Sequence, residues 1–302
     1  MSHERGTPAR GDPKIDFRNW RREAGVSRFL LLELPVSLLG LGLLEIETGR
    51  GIARRLQMSD FASKAFERYA ELRPGRRVLR VPEDLLTGIE PVFRKVYAPF
   101  LPAKKDSKIL DLGSGYGEFL FFMQRAGYES AAGVELDMKQ VEIGRNLGVR
   151  NLNCGDAREL LRKSLGEFDF ISCIDVLEHF PKPKALELLE LVRAALRPGG
   201  SFLCQVPNAM AFYLPRFYMD FTHETPFAPS SLKQALEMAG FRNVRVAGIG
   251  PVVHGVKSAV RFALWKLIEG GFRFIQTIEA GPDGRELQRI FAGTIYAVAE
   301  KP

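Results

Sequence analysis

Cysteine is scarce in this chain of 302 residues: only Cys154, Cys173 and Cys204 occur. An odd number without metal-ligand spacing excludes a disulfide-stapled scaffold and a cysteine-held zinc site. All three fall in or beside runs that read as strands, so the expectation is three buried thiols in a reducing compartment. Charge of one sign is also in short supply, since 43 basic and 36 acidic side chains leave a net +7. That excess is too modest and too spread out for a nucleic-acid surface, and no RNA-binding signature or arginine-rich helix is present. It suits an anionic membrane surface or a charged glycan. Long apolar runs are missing too. The most apolar stretch, Phe29 to Ile46, is interrupted by Glu33, Pro35, Gly40 and Gly42. It falls short of the roughly 20 apolar residues of a spanning helix, and reads as a helical hairpin or interfacial segment. No secretory signal and no internal repeat are expected. The first 27 residues are polar and rich in Arg, Gly and Pro, and read as a disordered tail. The expected location is cytoplasmic, with peripheral association at the inner face of a membrane.

What the chain does hold is the run Lys108-Ile109-Leu110-Asp111-Leu112-Gly113-Ser114-Gly115-Tyr116-Gly117. It reads as a short buried strand, a glycine-rich turn and the start of a helix, a geometry that lets a ligand approach the backbone. Asp111 narrows the choice. A pyrophosphate disfavours a carboxylate there, whereas a ligand with an ammonium group favours it. A dinucleotide fingerprint also wants a third glycine three residues after the second. Glu118 stands at that place and Gly117 falls one residue early.

Beyond the turn, strands are expected near 108–112, 131–135, 150–154, 168–174, 201–206, 243–247 and 291–299. Helices are expected near 61–72, 90–100, 117–126, 138–147, 157–164, 184–196, 230–239 and 256–268. Strands alternating with helices imply a parallel sheet covered on both faces.

Five features in order now carry a family resemblance. The turn at 111–117, the acid Glu135 after the second strand, Cys154-Gly155-Asp156-Ala157, Phe168 to Phe180, and Arg197-Pro198-Gly199-Gly200 follow one another in this sequence. Together, over roughly 107 to 247, they resemble the class I S-adenosylmethionine-dependent methyltransferases. The resemblance implies an α/β fold: a Rossmann-like seven-stranded sheet whose last strand is antiparallel, here with a helical N-terminal extension and a helical insertion before that strand. The expected partition is a tail 1–27, a helical region 28–106, the cofactor-binding core 107–249, an amphipathic helical insertion 250–290 and the last strand 291–302. The insertion departs from the short hairpin usual in the family. Its stretch Val256 to Ile268 carries Val256, Val260, Ala263, Leu264, Leu267 and Ile268 on one side, with Lys257, Arg261 and Lys266 beside them. That pattern suits either an anionic membrane surface or packing on the domain itself or on a second subunit.

The resemblance also implies site residues. S-adenosylmethionine, leaving as S-adenosylhomocysteine, would lie against Gly113, Ser114, Gly115 and Gly117. Asp111 would face its amino group and Glu135 its ribose, with Leu136 alongside. Asp156 and Ala157 would meet the adenine, and Asp175 would lie near the sulfonium. Asp156 has a second reading, as the N-cap of the helix after it.

A hydroxyl acceptor benefits from a base, and His179 and His223 are the candidates. Asp175-x-x-Glu178-His179 also resembles the metal-binding arrangement of ubiquinone-pathway O-methyltransferases, but three ligands on one loop are not enough to predict a metal. Arg216 to Glu224, with Asp220-Phe221-Thr222-His223, resembles a subgroup acting on bacterial surface glycans and glycolipids. In that subgroup the stretch lies close to the acceptor site, so His223 is expected either as general base, oriented by Asp220 or Glu224, or as a residue that only pins its loop by hydrogen bonds. The function implied is O-methylation of a hydroxyl on a sugar or lipid-linked glycan. The alternatives are a small-molecule acceptor, such as a quinone or secondary metabolite, and a non-catalytic cofactor-binding scaffold.

Overall fold

The computed structural model describes residues 86–212, 216–281 and 286–302. All of them belong to one compact unit, Ser59–Pro302. The expected tail 1–27, the apolar stretch 29–46 and the helix 61–72 lie outside the described residues.

The sheet has seven strands: β1 Ile109–Leu112, β2 Ala132–Glu135, β3 Leu152–Cys154, β4 Phe168–Ile174, β5 Leu196–Pro207, β6 Arg242–Gly248 and β7 Thr294–Glu300. Their order is β3-β2-β1-β4-β5-β7-β6. The pairings from β3 through to β5 are parallel, and β7 runs antiparallel to both β5 and β6. β1 is buried along its whole length, as a central parallel strand must be when helices cover both faces. The helices are α1 Glu118–Arg125, α2 Met138–Asn146, α3 Ala157–Lys163, α4 Lys182–Ala195, α5 Pro229–Met238 and α6 Val256–Ala280.

Two cores sandwich the sheet. Leu161, Leu188, Leu189, Leu232 and Leu236 bring α3, α4 and α5 onto one face. Phe93, Tyr97, Phe119, Met123 and Val141 bring the run before β1, α1 and α2 onto the other. This arrangement places the carboxyl ends of β1, β2 and β4 along one edge, where open α/β sheets bind ligands.

Several boundaries differ from expectation. The run 90–100 is not one helix. It divides into Glu90–Val92, a wide turn Phe93–Tyr97 and a tight turn Ala98–Phe100. Pro99 has no amide proton, so the α-helical ladder cannot continue through it. The Pro-Gly-Gly segment lies inside β5 rather than before it, because Gly199 and Gly200 pair with Lys301 at the chain's end. α6 continues to Ala280, past Gly270 and Gly271, where the sequence pattern fades. Cys154 corrects the expectation of three buried thiols. Cys173 and Cys204 are buried but Cys154 is exposed, since the outermost strand β3 has a neighbour on one side only.

Candidate active site

The glycine turn follows β1 directly. Asp111 pairs in register with Ser172 of β4, and the Ser172 hydroxyl donates to its Oδ1 at 2.6 Å. The carboxylate is 3% exposed. Burial raises Asp111 to about 7, against the pull of the Ser172 hydrogen bond. Ser114 turns inward, and its hydroxyl donates to the Asp111 carbonyl at 2.8 Å.

Two glycines answer to the protein's own packing. Gly113 has φ +62°, and a Cβ there would sit 2.4 Å from Val176 Cγ2. Gly117 has φ +87°, and a Cβ there would sit 2.7 Å from Val149 Cγ1. Gly113 therefore lets the loop after β4 close onto the glycine turn.

Glu135, at the end of β2, ties this loop system together. It accepts from the Gly115 amide at 3.0 Å and from the Asp137 amide at 2.9 Å. A carboxylate offers about four acceptor positions, so two remain for a diol. Leu136 beside it is exposed. Asp156 is the N-cap of α3, accepting from the Arg158 amide at 2.7 Å. It is also paired with the Arg158 guanidinium at 2.7 Å. The Arg158 hydrogen bond holds its carboxyl below the usual range. Ala157 packs against the α3–α4–α5 core.

Asp175 ends β4 in the left-handed region, with φ +54°, a conformation uncommon for a residue with a side chain. Gln205 of β5 fixes it from both sides. The Asp175 amide donates to the Gln205 carbonyl at 3.0 Å, and Gln205 Nε2 donates to Asp175 Oδ1 at 2.8 Å. The Tyr97 hydroxyl in turn donates to Gln205 Oε1. Backbone held this way at a strand end is a common mark of a functional position.

The two histidines meet although they lie on separate loops, after β4 and after β5. A clamp joins their loops. The Glu178 carbonyl accepts from the Glu224 and Thr225 amides at 2.7 and 3.0 Å, and the Thr225 hydroxyl donates to the Phe180 carbonyl. His179 and His223 then pack edge to face, with ring centroids 4.8 Å apart.

Their hydrogen bonds fix which nitrogen is basic. His223 Nδ1 lies 2.7 Å from the Phe217 carbonyl, which can only accept. Nδ1 therefore carries the proton, and in the neutral ring Nε2 holds the lone pair. His179 Nδ1 lies 2.9 Å from the Thr222 hydroxyl, whose proton goes to Asp220 at 2.7 Å. The Thr222 oxygen thus accepts from Nδ1, and Nε2 of His179 is basic by the same logic. His223 Nε2 lies 4.0 Å from the fully buried Glu178 carboxylate.

This geometry corrects the expected orienters. Asp220 acts on His179 through Thr222, and the group holding His223 is a backbone carbonyl. A loop's carbonyl direction cannot be read from residue types. Glu178, His179 and His223 also present ligand atoms within 4.8 Å of one another. One carboxylate and two imidazoles suit a divalent ion. The set differs from the Asp175, Glu178 and His179 arrangement that the loop resembles, since His223 stands in place of Asp175.

Sequence reasoning missed Ser172, Tyr97, Gln205 and Thr222. Gln205 carried a faint signal, a long polar side chain inside the apolar run Phe202 to Val206.

Residues 57–246 match the family model described as a methyltransferase domain. The chain belongs to this methyltransferase family. S-adenosylmethionine is its methyl donor, and the glycine turn, Glu135 and the buried acid are chemically suited to that ligand. The ubiquinone biosynthesis O-methyltransferase of Bordetella avium is 27% identical over 159 residues, covering 45% of this chain and 65% of that protein. The protein of the same name from Xanthomonas axonopodis pv. citri is 28% identical over 186 residues, covering 56% and 76%. Among solved structures, a SAM-dependent methyltransferase from Archaeoglobus fulgidus superposes with a TM-score of 0.52 at 23% identity, covering 73% of this chain and 95% of that one. That likeness shows the fold.

Proposed function

We propose that this methyltransferase transfers its methyl group to a hydroxyl, with His223 as the base and His179 beside it. The observation that carries this reading is the pair of imidazoles brought side by side with Nε2 basic in both. S-adenosylmethionine supplies an already activated methyl on a sulfonium, so the protein's task is alignment and proton removal. His223 Nε2 takes the hydroxyl proton, and the Glu178 carboxylate 4.0 Å away faces the imidazolium that results. Asp220, through Thr222, holds His179 in one tautomer and one orientation.

On the cofactor side, Gly113, Ser114, Gly115 and Gly117 supply the close backbone surface and Glu135 takes the ribose diol. Leu136 and Ala157 flank the base, with Asp156 beside them. Asp111 acts on the amino group through water, since it is too buried for direct contact. Asp175 stands at the reacting end, set by Gln205 and Tyr97.

The acceptor class follows from two observations that point differently. The curated relatives are named for ubiquinone biosynthesis, which favours a small hydroxylated ring of quinone type. The Asp220 to His223 loop resembles glycan-modifying enzymes, which favours a sugar hydroxyl on a lipid-linked glycan. A lipid-linked glycan carries a lipid tail, and the basic excess of the chain suits an anionic membrane surface as the place where it is met.

The test is acceptor-dependent release of S-adenosylhomocysteine over a panel of catechol-like, quinol and lipid-linked glycan acceptors. His223→Ala should lose on the order of 100-fold or more in turnover with cofactor affinity unchanged. Wild-type turnover by that variant would remove the base assignment. Chelation by EDTA should leave turnover intact. Loss restored by added magnesium would make Glu178, His179 and His223 ion ligands instead.

A further inference from the structure

α6 packs on the domain by one face only. Ser258, Trp265, Glu269, Phe272 and Gln276 recur at helical spacing and are shielded, as are Ala259 and Thr277 at one edge of that face. Trp265 lies against Gly250, and Phe272 packs on Phe212 and Phe291 with ring centroids 4.5 and 5.5 Å away. The opposite face is apolar and exposed. Val256, Val260, Leu264, Leu267, Phe274 and Ile278 lie along it, with Leu267 at 74% exposure and Ile278 at 71%. A stripe of this kind over 25 residues is about 37 Å long at the helical rise. Few folded surfaces leave so much contiguous apolar area to water without a use for it.

We propose that this outer face of α6 docks on an anionic lipid surface, lying in the interface rather than crossing it. The helix is long enough to span, but no helix among the described residues is also apolar enough to do so. Lys257 and Arg261 flank the stripe on one side, with Glu279 further along, and Lys266 and Arg273, which share Glu269 as an ion-pair partner, flank it on the other, so each flank keeps a net positive charge. An amphipathic helix with basic flanks matches a sheet of phosphate headgroups. A second copy matches less well, because stripe on stripe would set basic flanks against basic flanks. On its domain-facing side α6 packs through Phe272 on Phe212, at the start of the loop that also carries Thr222 and His223. Docking would therefore hold the domain that carries His223 beside the lipid surface. This deepens the reading of a lipid-tailed acceptor and rests on it only for its purpose.

The measurement is sedimentation of the full chain with vesicles of phosphatidylglycerol and phosphatidylcholine in equal parts, against vesicles of phosphatidylcholine alone. Binding to the anionic vesicles at low salt is expected. It should fall roughly tenfold or more in Leu267→Glu and in Phe274→Glu, because each loses one buried anchor. It should also fall in Lys257→Glu/Arg261→Glu. Cofactor affinity and turnover of a water-soluble acceptor should be unchanged in all of them, which separates failure of docking from failure of the methyl-transfer reading. A polarity-sensitive dye at Leu267→Cys, in a Cys154→Ser background, should report water without vesicles and an apolar environment with them. An apolar signal without vesicles would mean that another segment of the chain or a second copy covers the stripe, and would overturn the proposal. So would binding that is indifferent to lipid charge and to these substitutions.

Discussion

Asp111 shows how burying a single carboxyl costs stability. Its carboxyl lies at about 7 because burial disfavours its charge. Between the ordinary value of 3.8 and about 7, the folded chain binds a proton that the unfolded chain releases. Its contribution to stability is therefore fully present at low pH and is lost as pH rises through about 7. Asp111→Asn should remove that loss, and urea denaturation at a series of pH values would show it as a flatter profile. The same substitution should weaken S-adenosylmethionine roughly tenfold or more, the cost of losing a charged partner. Wild-type affinity should rise with pH through about 7 in calorimetric titration, and the variant's should not. The acid itself was legible in the sequence from its place before the first glycine. Its hydroxyl partner Ser172 was not, since 61 residues separate them and only the parallel register of β1 on β4 brings them together.

At the scale of elements, the glycine turn is the point where strand, helix and loop are forced into one conformation. Gly117 begins α1 in the left-handed region and lies against Val149, ahead of β3. Gly117→Ala should cost about 1–3 kcal/mol, because the new methyl both meets Val149 and sits at an unfavourable φ. A lower denaturant midpoint with an unchanged slope would report it, and a neutral result would show that Val149 yields. The alternation of strands and helices was readable from periodicity because each element has one core face or is buried throughout. Other features escaped for physical reasons. The break at 93–100 comes from Pro99 acting within a helical pattern. The length of α6 escaped because the amphipathic pattern reads only to Ile268, whereas packing of Phe272 on Phe212 and Phe291 carries the helix on past Gly270 and Gly271.

For the whole molecule, the three thiols make a simple probe of integrity. Cys173 and Cys204 are neighbours in register across β4 and β5, and burial pushes both thiols up, Cys204 to about 12. Cys154 is exposed. The native chain should therefore react quickly at one thiol with a maleimide and at two more only in denaturant, as counted by mass spectrometry. Fast reaction at all three would mean that the β4–β5 core opens in the native state.

By itself the sequence determined the fold class, the order of the core strands and helices and the glycine turn after β1, because these are properties of local pattern and of a contiguous motif. Only the tertiary structure decided that His179 and His223 stand side by side, that Asp220 serves His179 through Thr222, that Phe217 holds His223, and that the apolar stripe of α6 faces outward. Each of these depends on which distant loops the sheet brings to one edge and on which side of a helix meets the domain. Those choices are made by packing across tens of residues, and no local spacing encodes them.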